Sequence, residues 1–154
     1  MSSLHALTVA VEAASRKRDE ARRVLQDTLA AQLGARSQLD QIEGYARETD
    51  ARWGVREDTP MQPEVMYHHR QFMARLGHAA SLQATVVGDH ASRVDAARRA
   101  LLDAELRLAS LRKVVDKRRH EQETAQMRRD QKQTDERAAL RYSTTSRVSV
   151  DQEQ

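Results

Sequence analysis

Stepping alternately by three and four residues from Leu4, the chain meets Leu7, Val11, Ala14, Arg18, Ala21, Leu25, Thr28, Gln32, Ala35, Leu39, Ile42, Ala46, Thr49 and Trp53. Eleven of these fifteen positions are apolar; Arg18, Thr28, Gln32 and Thr49 are not. A heptad kept over that length predicts one long helix with a left-handed seam for a partner. Ser3 suits an N-cap, because its hydroxyl can accept a free first-turn N–H. The two prolines then fall together in the segment Glu57 to Glu64, at Pro60 and Pro63. Proline lacks the donor that a helix interior needs and restricts the residue before it, so one helix ends here. Pro63 fits the first turn of the next. A second seam runs through Met66, His69, Met73, Leu76, Ala80, Gln83, Val87, His90, Val94, Ala97, Leu101, Ala104, Leu108, Leu111 and Val115, twelve of the fifteen being apolar.

Two seams of equal length joined by a short turn imply that the chain folds back on itself. Antiparallel pairing about a turn near residue 60 makes facing residue numbers total about 120, along a paired stretch of about 75 Å. Leu4 then meets the region of Val115, and Trp53 that of Met66. Beyond Val115 the apolar period fades while helix propensity stays high, so residues 116–142 should project as a charged single helix about 35–40 Å long. The last residues, from Ser143 (STTSRVSVDQEQ), have the composition of a disordered tail. The expected fold is all-α, a long two-helix antiparallel coiled coil with a projecting C-terminal helix and a disordered tail. Residues 1–142 make a single coiled-coil domain, with helix one over about 3–56, the turn over about 57–63 and helix two over about 64–142.

Composition sharpens this picture. Charged residues reach 32% and aromatics only 3%, which suits long helices better than a compact core built on large rings. There is no cysteine, which excludes disulfides and thiolate metal sites. No apolar run approaches the roughly 20 residues of a membrane span, and the first residues lack the pattern of a signal peptide. These readings point to the cytoplasm.

Chemistry is hard to place on such a chain. The five glycines are scattered singly, with no phosphate-cradling loop. His120-Glu121 hints at a zinc-protease helix, but Thr124 stands where the second histidine would be. His68 and His69 are adjacent and point about 100° apart on a helix, which reads as solvated or seam-edge histidines. A two-helix structure is expected to offer no pocket, and a catalytic site needs a cleft. The expectation is no enzyme, no cofactor, no metal and no small-molecule substrate.

Two features exceed what pairing needs. An apolar stripe offset from the seam runs Gln38, Ile42, Tyr45, Thr49 on helix one and Phe72, Leu76, Ala79, Gln83 on helix two. Antiparallel register sets 38 beside 83, 42 beside 79, 45 beside 76 and 49 beside 72. It is either ordinary packing beside the seam or a docking face with exposed aromatic anchors. The second feature is the projecting helix, where residues 112–142 hold ten basic and six acidic side chains. Pairs such as Lys132 with Glu136 would suit a merely solvated helix. The interspersed acids argue against nucleic acid, despite a pI near 9.6. Contact with protein surfaces of both signs fits better.

These residues carry a resemblance. The two helix lengths, the turn near residue 60 and the segment Arg129-Asp130-Gln131-Lys132-Gln133-Thr134-Asp135-Glu136 resemble the FliJ family, a coiled-coil component of the bacterial flagellar type III export apparatus. The resemblance implies a stalk that enters the hexameric ring of the export ATPase FliI, promotes its assembly and activity, and links it to the export gate FlhA. Export chaperones are further partners it implies. Residues matching the family's gate-binding positions are Gln38, Ile42, Tyr45, Phe72, Leu76 and Ala79. Ring contacts fall on Arg128, Arg129, Gln131, Lys132, Asp135 and Glu136. Thr49 and Gln83 stand where the family can show an aromatic and a histidine. The implied location is the cytoplasmic face of the inner membrane, held there through the apparatus. Rival readings are the stalk of a virulence-type secretion system, and a coiled-coil adaptor or chaperone escort without effect on an ATPase.

Overall fold

A computed structural model describes residues 2–53 and 60–151. It contains two long helices packed against each other, α1 over Ser2–Trp53 and α2 over Pro63–Asp151, and no strand among the described residues. The all-α helical hairpin expected from the two heptads is the fold. Residues 54–59 lie outside the described residues, with the last turn expected of helix one and the first part, 57–59, of the expected connection.

Local chemistry explains where α2 begins. Pro63 occupies its first turn, where a missing N–H costs nothing. The first backbone bond runs from the Met66 N–H to the Gln62 carbonyl at 3.0 Å. Glu64 places a negative charge at the positive end of the helix dipole. At the other terminus of the chain the expectation for Ser3 changes. Ser3 is already helical, and its hydroxyl accepts instead from an Arg118 guanidinium N–H at 3.3 Å.

The chain divides into two compact units. In the unit of residues 15–106, α1 and α2 run antiparallel. Ala35, Val87, Val94 and Ala97 are buried, and the other seam positions from Arg18 to Thr49 and from Met66 to Leu101 are half-buried. Trp53 is the exception, 60% exposed. Polar and aromatic contacts show the register. A Gln83 side-chain N–H donates to the Ala35 carbonyl at 2.9 Å and to Gln38 Oε1 at 3.1 Å. His69 Nε2 meets Asp50 Oδ1 at 3.3 Å, and the rings of Tyr45 and Phe72 make an edge contact. Each pair totals close to the expected 120, within about one turn of helix.

The second unit joins residues 1–14 to 107–154. Ala14, Leu108 and Val115 are its buried side chains, with Leu4, Leu7, Val11 and Leu111 half-buried. No large side chain is fully enclosed among the described residues of either unit. Two helices cover each other along one line only, so a few Ala, Val and Leu side chains on that line are buried while the rest of the seam keeps one flank in water.

From Gln126 to Val150 every side chain is exposed. The helix nonetheless continues past Tyr142 to Asp151, through residues where the sequence suggests a disordered tail. The hydroxyls in this stretch bond within the helix. Ser143 and Thr144 donate to the Leu140 carbonyl, Thr145 to Arg141 and Ser149 to Thr145, at 2.8–3.1 Å. Turned back on the preceding turn, these side chains stop competing for the backbone, and no Gly or Pro interrupts the run. Residues 152–154 lie outside the described residues.

Candidate functional site

The offset stripe comes together on the face of residues 15–106. Gln38, Tyr45 and Phe72 are exposed, whereas Ile42, Leu76 and Ala79, on or beside the seam, are half-buried. Gln38 faces Gln83 as the register requires. Tyr45 also reaches Phe72, one turn along α2 from Leu76, with ring centroids 6.1 Å apart and planes at 84°. Rings long enough to lean across a turn find each other, and the edge-to-face geometry suits their quadrupoles. Tyr45 still leaves 54% of its surface to solvent and Phe72 39%.

This face also overturns the expectation that a helix pair has no pocket. A groove of about 430 Å³ lies beside the stripe, walled by Tyr45, Thr49, Trp53, Val65, His69 and Phe72, with Glu48, Arg52 and His68 at its lining as well. Big rings standing off two narrow helices create a trough that small seam residues never would. Glu48, Arg52 and Val65 were not singled out from the sequence, and His68 was read there only as a solvated or seam-edge histidine. The signal was present: 45, 48, 49, 52 and 53 on α1, and 65, 68, 69 and 72 on α2, recur at the same three-four spacing as the stripe. His69 is held against Asp50, and His68 packs edge-on to Tyr67, with ring centroids 5.7 Å apart.

The second candidate is the exposed end of α2. Arg128, Gln131, Lys132, Asp135 and Glu136 share one helix face with Ala139 and line a shallow depression; Arg129 stands at the edge of that face, about 20° around the helix from Glu136. The i,i+4 contacts formed here are hydrogen bonds from Gln126 to Asp130 at 3.0 Å and from Gln131 to Asp135 at 3.1 Å, in place of the Lys132–Glu136 pair suggested by the sequence. Met127, Leu140 and Tyr142 are 71%, 66% and 79% exposed, so apolar anchors stand among charges of both signs.

Among the described residues, no group of histidine and carboxylate side chains could hold a metal ion, and no helix is long and apolar enough to cross a membrane. The family model FliJ, described as flagellar FliJ protein, matches residues 3–147. No curated protein and no solved structure matches.

Proposed function

The chain belongs to the FliJ family, a non-catalytic component of the flagellar export apparatus, and on that premise we propose that it is the stalk of the export ATPase. In this reading it binds the hexameric ring of FliI, promotes ring assembly and hydrolysis, and links the ring to the export gate FlhA at the cytoplasmic face of the inner membrane. The observation that carries the reading is the run of residues 126–150, helical and exposed at every position. A helix that buries nothing of its own keeps its whole circumference for a surrounding partner.

The chain makes and breaks no bond in this mechanism. Arg128, Gln131, Lys132, Asp135 and Glu136, gathered on one face, meet the ring together with Arg129 at the edge of that face. Because that face is unlike its opposite, each ring subunit meets different chemistry. A contact that differs between states of the ring shifts their balance, which is the requirement for coupling. Gln38, Ile42, Tyr45, Phe72, Leu76 and Ala79 serve the gate, with the exposed rings of Tyr45 and Phe72 as anchors.

The test is steady-state ATP hydrolysis by purified FliI with and without the chain. Full-length protein raises the rate, and truncation before Arg128 returns it to that of FliI alone. Equal stimulation by the truncated chain would remove residues 128–151 from the mechanism.

A further inference from the structure

Four glycines sit inside the described helices without a steric reason to be there. None has a positive φ. A Cβ added at Gly34, Gly77 or Gly88 would meet nothing within 4 Å, and one at Gly44 would meet only the tip of the Arg47 side chain at 3.9 Å. Neither a turn nor a close approach of backbones calls for them. Each weakens its helix severalfold relative to alanine.

Their placement is ordered, however. Gln83 reaches Ala35 and Gln38, and Tyr45 touches Phe72. That register sets Gly44 of α1 level with Gly77 of α2, and Gly34 level with Gly88, each within about one turn. The weak points therefore coincide across the pair. A glycine in one helix of a coiled coil is ordinarily splinted by good helix formers in the other. Here each splint carries its own glycine at the same height. Between the two tiers the seam of α2 also turns polar at Gln83, so the interior there is not purely apolar.

We infer that residues 34–44 of α1 and 77–88 of α2 form a two-tier flexible joint, at which the hairpin of residues 15–106 bends or opens locally. The joint is a property of the isolated chain and needs no partner. A glycine lowers helix propensity by about 1 kcal/mol, and local opening favours segments of low local stability.

The test compares the full-length protein with a variant carrying Gly34→Ala, Gly44→Ala, Gly77→Ala and Gly88→Ala. Amide exchange protection factors are measured in residues 34–44 and 77–88 and in the flanks 18–28 and 94–104. In the parent chain the joint is at least about tenfold less protected than the flanks. In the variant its protection rises by about thirtyfold relative to the flanks, the product of two helix propensities per tier. A second reading uses spin labels at Asp27→Cys and Glu48→Cys, a pair made clean by the absence of native cysteine. Their distance distribution is broad in the parent and narrows around about 30 Å in the variant. Uniform protection along the parent helices, or a distribution of the same width in both proteins, would overturn the joint.

Discussion

Residues 15–106 and residues 126–150 are both long helical stretches dense in charge, but they hold their helices for different reasons. In the first, a three-four apolar period lets one helix cover the other, and Val94 is left only 2% exposed. In the second the period is gone and the helix stands on propensity and on i,i+4 side-chain hydrogen bonds. One spends its side chains on its own fold and the other leaves them exposed. The groove beside Tyr45 and Phe72 lies between these cases, because its rings are held by the pair yet largely wet.

The strongest way to break that contrast is to place a charge in each region. Val94→Asp should cost about 4 kcal/mol or more, since an ionised carboxylate would sit between two helices without a partner. Met127→Asp, at a position 71% exposed, should change stability by less than about 0.5 kcal/mol. Thermal melts followed by circular dichroism separate the two. Similar losses at both sites would mean that residues 126–150 are covered in solution.

A proline tests the same contrast through the backbone. Ala139→Pro should cost the lone helix about 3 kcal/mol locally and remove part of its helical signal. The melting midpoint of the paired helices should stay unchanged, because nothing of theirs packs on residue 139. A drop in that midpoint would contradict the independence of the exposed segment.

Most of the fold was legible because a seam is a one-dimensional object. A strict heptad names the buried line directly, and Pro60 with Pro63 shows where the chain turns. What escaped detection needed side-chain reach or local bonding. The Tyr45–Phe72 contact depends on rings leaning across a turn, which residue spacing does not encode. Trp53 continued the seam on paper yet lies 60% exposed beside the groove. The helix through residues 143–151 was hidden by a Ser/Thr-rich composition, because those residues favour a helix or a coil according to where their hydroxyls bond. The stripe was visible as a pattern, and because half its positions also serve the seam, spacing left open how far ordinary packing would bury it.

A smaller effect separates anchor from core within the stripe. Tyr45→Ala with Phe72→Ala should weaken binding of FlhA by about tenfold to a hundredfold. The loss of stability should be only about 1–2 kcal/mol, because both rings are half in water and give up mainly their mutual contact. Titration calorimetry alongside a melt reads both quantities. Collapse of helicity would show that the rings are core.

The smallest effect concerns Gln83, where the buried line of α2 turns polar. Its amide donates to the Ala35 carbonyl and to Gln38 Oε1, but neither acceptor depends on it. A helix carbonyl keeps its own i+4 donor, and Gln38 is exposed to water. Gln83→Leu would therefore remove polar surface from the seam without orphaning a buried group. It should raise stability by about 1 kcal/mol, from apolar burial in place of two partly solvated bonds. What glutamine supplies instead is register, because its two bonds form at one alignment of the helices, whereas a leucine tolerates neighbouring ones. The leucine variant should thus melt higher yet make the distance between labels at Ser37→Cys and Ala84→Cys more heterogeneous. A lower melting point would show that the Gln83 bonds stabilise the pair outright, and that even its polar seam position is spent on the fold.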